Sequence, residues 1–161
     1  MDVRPVCLRL LAVGMGKTAV VTALVLANPS TSRPSDDEWK ARTTDGAAPA
    51  QYKMTIVICN NTLVQQWEDE VKSFAPKLNV QTYYASGTSD AAKKKKQAMA
   101  SLRDCDVLIT TPHMTAQAPW STILKNVHAH RLVVDEAHLC VQGTRTRPHP
   151  FLLTDALEGA H

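Results

Sequence analysis

The sequence has no apolar run long enough to cross a membrane, no cysteine pair at metal-ligand spacing, no internal repeat and no strong charge of either sign. Each absence narrows the possible functions. The longest apolar stretch, residues 19–27, is far short of the roughly 20 residues a membrane-spanning helix requires, so no membrane partner is expected. The four cysteines, Cys7, Cys59, Cys105 and Cys140, are widely scattered, and three of them abut apolar runs that read as buried strands. That pattern suits reduced core thiols and an intracellular compartment. A net charge of +3 neither announces nor excludes a nucleic-acid partner. The N-terminal residues have the outline of a signal peptide, but Arg9 interrupts the apolar run and a glycine loop follows at once, so secretion is not expected.

What is present is a domain-sized chain of 161 residues, 44% hydrophobic and 20% charged, the balance of a soluble globular protein with a real core. Residues 6–13 read as a buried strand, Gly14-Met15-Gly16-Lys17-Thr18 as a loop, and residues 19–27 as an apolar helix ended by Asn28-Pro29. Residues 29–50 are rich in Ser, Thr, Pro, Asp and Ala and read as a long surface insertion, partly disordered. Residues 54–59 form a β-branched apolar run, a buried strand. Asn60, Asn61 and Thr62 are placed to cap the next helix, on which Leu63, Val64, Trp67, Val71 and Phe74 share one face. A short strand at 80–84, an exposed helix at 90–103, a buried strand at 106–110, a short helix at 119–127 and a strand at 131–134 follow. After Cys140 the pattern dissolves. Strands alternating with helices predict an α/β fold, a mostly parallel sheet covered by helices on both faces. Ligands of such sheets bind at the carboxyl ends of the strands.

Two motifs fall at such ends. Gly14-Met15-Gly16-Lys17-Thr18 joins a strand to a helix. Glycines let backbone N–H groups turn around a phosphate, and a helix N-terminus adds positive potential. Lys17 would reach the β- and γ-phosphates of ATP, and the Thr18 hydroxyl would ligate Mg²⁺. Taken alone, the loop reads more readily as an ordinary strand-to-helix turn. The second motif, Asp135-Glu136-Ala137-His138, closes an apolar strand. There Asp135 would hold Mg²⁺ and Glu136 would polarise the attacking water, and the same tetrad is equally readable as a solvated turn. In order along the chain, each after its own strand, the two support one another as a nucleotide site. The candidate catalytic residues are therefore Lys17, Asp135 and Glu136.

Taken together, the chain resembles the first RecA-like lobe of the Swi/Snf-type DNA-dependent ATPases, P-loop proteins of helicase superfamily two. Four segments carry the resemblance: residues 14–18; residues 55–70, with Leu63, Gln66 and Trp67 in a Leu-x-x-Gln-Trp pattern; residues 106–112; and the Asp-Glu-Ala-His box at 135–138. The resemblance implies an ATP-binding lobe at residues 1–141, with 142–161 a divergent tail. It implies ATP and Mg²⁺ as cofactors, double-stranded DNA as partner and a nuclear location. Asn60, Asn61, Thr110 and Thr111 match family segments near the DNA backbone, though Thr111-Pro112 also reads as a strand-terminating turn. His138 would couple ATP chemistry to DNA contact, or serve as a packing or capping residue.

The chain departs from the family in carrying Leu11-Ala12-Val13 where an acidic Asp-Glu-Met segment is usual, and in its residues 142–150. The lobe is thus expected to be incomplete. The family's second lobe supplies arginines to the transition state, worth about 10³ to 10⁵ in rate where an arginine finger has been measured. A chain with one lobe is expected to hydrolyse ATP slowly, to need a second lobe in trans, or to act with chromatin proteins. The alternatives are an inactive relic that binds DNA or protein without nucleotide, and a self-contained P-loop enzyme such as a small kinase, for which no arginine-rich lid is seen. Lys93, Lys94, Lys95 and Lys96 spread around their helix and read as a solvated face, a phosphate contact or a nuclear import signal.

Overall fold

The computed structural model of the protein describes residues 16–29, 35, 50–84, 102–115 and 127–135. The expected strand at 6–13, nearly all of the expected insertion and exposed helix, and the chain beyond Asp135 lie outside the described residues.

Helix α1 spans Lys17–Ala27 and starts directly after Gly16, whose left-handed φ of 69° only glycine adopts without strain. It begins two residues earlier than the apolar pattern suggests, so Lys17 and Thr18 sit on its first turn rather than in the loop. Strand β1, Ala50–Ile58, begins four residues before the β-branched run. It therefore takes in Ala50, which composition assigned to the insertion. A single 3-10 turn at Asn61–Leu63 precedes helix α2, Val64–Phe74. Asn60 makes no side-chain cap there, contrary to expectation; the turn is closed by the Leu63 amide donating to the Asn60 carbonyl at 2.9 Å. Val64, Trp67 and Val71 are buried as the helical spacing predicts, but Phe74 is 55% exposed. It sits at the last position of α2, where the helix runs past the sheet.

Strand β2, Val80–Tyr83, is followed by a 3-10 turn at Leu102–Asp104, strand β3 at Val107–Thr110, a single helical turn, α3, at Pro112–Thr115, and strand β4 at Val127–Val134. Leu102 and Arg103, placed by sequence at the end of an exposed helix, lie in this 3-10 turn, and Leu102 is buried. Val127, placed by sequence at the end of a short helix, instead opens β4. Its segment, Val-His-Ala-His, alternates polar and apolar residues and was too polar to read as strand by composition.

The four strands lie in the order β2-β3-β1-β4, all parallel. Their register aligns the carboxyl ends: Ile58 is level with Thr110 and with Val134, and Thr110 with Tyr83. Both faces are buried, as expected for a parallel sheet. One carries Val57, Cys59, Val107, Ile109 and Val133 against Val21 and Val25 of α1 and Val64, Trp67 and Val71 of α2. Met54, Ile56, Ile58 and Leu108 are buried on the alternate side of the pleat.

The amino-terminal edge of the sheet holds a second polar contact. Lys53, with 4% of its side chain exposed, pairs with Asp106 at 2.5 Å across β1 and the start of β3. The other Asp106 oxygen accepts the Asn79 amide at 2.8 Å, which fixes the entry to β2. Removing one member of a buried pair strands the other charge. Lys53→Met should therefore lower the unfolding free energy by about 2–3 kcal/mol, less than the roughly 3–5 kcal/mol of a fully buried pair because Asp106 keeps its Asn79 bond and is a quarter exposed. Lys72→Ala, which removes an exposed pair with Glu68, should cost about 0.5 kcal/mol or less. Urea unfolding midpoints of the two variants give the comparison.

Candidate nucleotide site

The carboxyl edge of the sheet is built by three elements distant in sequence. Strand β4 ends at Val134, and the next residue, Asp135, is fixed by its amide donating to the Ile58 carbonyl at 2.8 Å. Helix α1 packs beside α2 over β1 and brings its N-terminus to the same edge. No acidic residue lies in the first turn of α1, and its N-cap, Gly16, has no side chain to bond the leading N–H groups. The helix dipole at that end favours an anion.

At this edge Lys17 Nζ donates to Asp135 Oδ1 at 2.6 Å, across 118 positions of chain. The pair is mostly buried, with 15% of the Lys17 side chain and 5% of the Asp135 side chain exposed. Thr18 is buried at 7% on the turn that follows Lys17. Asp135 Oδ2 accepts a third group, the indole N–H of Trp67, at 3.0 Å. The Thr18 and Gln66 side chains, donating toward Glu70 of α2, hold its carboxyl below the usual range.

An ammonium, a hydroxyl and a carboxylate next to a helix N-terminus form a donor set that fits a magnesium–polyphosphate. Mg²⁺ usually takes one or two protein oxygens, completes its octahedron with water and phosphate, and needs no protein cage. Among the described residues no cluster of three or more His, Cys, Asp and Glu side chains could hold a metal. The fit rests on Thr18 and Asp135 together with a phosphate ligand.

The other expected site residues divide. Gly16 lies in the described turn. Gly14, Met15, Glu136 and His138 lie outside the described residues. Asn60 and Asn61 are exposed just beyond β1, on the same edge as Asp135. Thr110 and Thr111 share that edge but are buried, at 2% and 5% exposure. The Thr110 hydroxyl donates to the Tyr83 carbonyl at 2.8 Å, and Thr111 Oγ1 accepts the Met114 amide at 3.4 Å. Sequence reasoning took Trp67 as a core residue and a mark of the family, and gave neither it nor Glu70 a role in the site. The signal was present: an indole on an apolar helix face with a carboxylate three residues on, so that both point to one side of α2.

Residues 10–147 match the SNF2-related domain. The chain belongs to that family. Among similar proteins, the DNA repair protein RAD5B of Arabidopsis thaliana is 27% identical over 145 residues, covering 79% of this chain and 11% of that protein. Transcription termination factor 2 of Drosophila melanogaster is 28% identical over 148 residues, 78% of this chain and 13% of that protein. Helicase swr1 of Aspergillus fumigatus is 28% identical over 99 residues, 62% of this chain and 6% of that protein. The chain thus spans roughly a tenth of the length of the curated relatives it matches. The parallel sheet, with α1 and α2 over one face, is the α/β architecture of a RecA-like lobe, and the SNF2-related match makes it an ATPase module of the Swi/Snf type.

The site also dictates the state of its thiol. Cys59 follows β1 beside Asp135, and burial together with that negative charge pushes its pKa up to about 12. Burial does the same to Cys105, also to about 12. Both should resist iodoacetamide at pH 8 in the folded protein and react once urea unfolds it. Peptide mass spectrometry reads the difference, and rapid native labelling of Cys59 would show that the edge around Asp135 opens readily.

Proposed function

We propose that this chain is the ATP-binding lobe of a DNA-dependent ATPase that couples hydrolysis to movement on double-stranded DNA in chromatin remodelling or DNA repair in the nucleus. The observation that carries the reading is the meeting of Lys17 with Asp135 at the carboxyl edge, beside the N-terminus of α1. Nothing in the packing of the core requires a lysine there. A cation and a carboxylate of this kind at the end of a parallel strand are what a magnesium–triphosphate would engage, Lys17 moving to the phosphates and Asp135 to the metal.

In this reading the backbone of Gly14, Met15 and Gly16 surrounds the phosphates with Lys17 and Thr18. Thr18 and Asp135 hold Mg²⁺, which would polarise the phosphoryl oxygens when bound. Glu136 orients the attacking water, and His138 links the box to DNA contact. Asn60 and Asn61 offer exposed amides to the DNA backbone. Thr110 and Thr111 have their hydroxyls engaged internally, so this segment would touch DNA through its main chain or through the shape of the edge. A second RecA-like lobe, in the same polypeptide or in trans, is the partner that would supply transition-state arginines. The names of the relatives, a DNA repair protein and a transcription termination factor, are consistent with DNA as the substrate surface.

The test is titration of the purified chain with a fluorescent Mg²⁺–ATP analogue beside Lys17→Ala. Saturable binding that weakens at least tenfold in the variant, about 1.4 kcal/mol, is the expected result. Equal binding by both proteins, or none by either, would sink the nucleotide reading. DNA binding indifferent to ATP would then favour a module that binds without nucleotide.

A further inference from the structure

Trp67 is 3% exposed, and its ring lies in the core among α1, α2 and the sheet. A buried indole usually finds an acceptor for its N–H. What distinguishes this one is the acceptor: the Asp135 carboxylate, 68 positions away, rather than a nearby carbonyl. Asp135 is held from two sides, by the Lys17 ammonium on Oδ1 and by Trp67 on Oδ2. The two donors differ in kind. Lys17 is a long-chained cation on the first turn of α1, and a phosphate would compete for it. The indole is neutral, rigid, donor-only and packed into the core, so it cannot follow. When Lys17 turns to a phosphate, Trp67 stays on Asp135 and keeps the carboxylate plane in place. Oδ1, released by Lys17, is then the oxygen free to face a metal or its water.

The same helix touches the other proposed metal ligand. Glu70 is one turn beyond Trp67 on α2, and a hydrogen bond from the Thr18 side chain helps hold its carboxyl below the usual range. A hydroxyl that directs its proton toward a carboxylate leaves its lone pairs for a cation.

We infer that Trp67 is a positioning residue for the metal: its indole N–H fixes the Asp135 carboxylate, so that α2 sets the strength of Mg²⁺ binding without itself contacting the ion. Outer-shell partners of this type typically change metal affinity by about 10- to 100-fold when removed. The inference rests on the nucleotide-site reading above.

The experiment measures affinity for the fluorescent ATP analogue in EDTA and across a Mg²⁺ series, for the wild-type chain, Lys17→Ala and Trp67→Phe. Phenylalanine keeps an aromatic ring in the core and removes the N–H. The expected result is a Mg²⁺ half-saturation at least about tenfold higher in Trp67→Phe, with affinity in EDTA within about twofold of wild type. Wild-type Mg²⁺ dependence in Trp67→Phe, with binding that still requires Lys17, overturns the inference and leaves the nucleotide reading intact. An equal loss in EDTA and in Mg²⁺ also overturns it, because that is what damaged packing alone would give. No binding by the wild-type chain removes both. If Trp67→Phe does not fold, the wild-type protein answers by NMR. The indole N–H signal of Trp67, identified by elimination with Trp39→Phe and Trp120→Phe, should shift when Mg²⁺ is added to the ATP-bound chain and not when EDTA is present. An unmoved signal overturns the inference.

Discussion

Asp135 is 7% exposed and carries its charge at the end of β4, where donors from two different helices meet it. A carboxylate that far from water is tolerated only if it is paired and hydrogen-bonded. Taking one partner from a buried pair costs about 3–5 kcal/mol, so the pairing is a condition on the whole arrangement rather than an ornament of the site. It requires that β4 end beside β1, that the first turn of α1 stand over that end, and that α2 lie close enough for an indole to reach across. The parallel sheet satisfies the first demand through its aligned strand ends. The packing of α1 on α2, with Val21 and Val25 sharing one core with Val64, Trp67 and Val71, satisfies the other two.

The polar contacts of the described residues divide by edge. At the amino-terminal side, Lys53, Asp106 and Asn79 form a buried knot that no ligand needs, and it ties β1, β2 and β3 together. Arg131, 4% exposed, reaches from β4 to the Asn28 carbonyl at the end of α1, a cation placed where the helix dipole welcomes it. These contacts hold the scaffold. At the carboxyl-terminal side the Lys17–Asp135 pair is of another kind, because both members have a proposed alternative partner in a magnesium–triphosphate. Paired with one another the two charges are compensated, and in the proposed mechanism the indole of Trp67 would go on holding the carboxylate when the lysine turns to a phosphate.

Much of this was legible in the chain. The β-branched run at 54–59 and the spacing of Val64, Trp67 and Val71 identified a central strand and its covering helix, since burial on one face leaves a period in the sequence. The glycine loop and the acidic tetrad pointed to one edge of the sheet, since phosphate and metal chemistry confine the residue types, and Lys17 and Asp135 do meet there. Boundaries were less legible. The Val-His-Ala-His start of β4 joins the sheet because β1 offers it a full ladder of partners from Val127 to Val134, a tertiary fact that overrides its polar composition. Asn60 has the right chemistry for a cap, but the 3-10 turn after it is closed by backbone alone.

By itself, then, the sequence determined the family, the central strands with their covering helix, and the chemical types that meet at the carboxyl edge. Those depend on local periodicity and on short motifs that a linear reading carries. Only the tertiary structure decided which groups meet. It set Trp67 on Asp135, buried the hydroxyls of Thr110 and Thr111 in internal bonds, and left Asn60 and Asn61 exposed beside them. The reason is physical. A hydrogen bond across 68 residues depends on how two elements pack, and a threonine at a strand end exposes or buries its hydroxyl according to its neighbours. Neither is a property of a residue and its sequence neighbours.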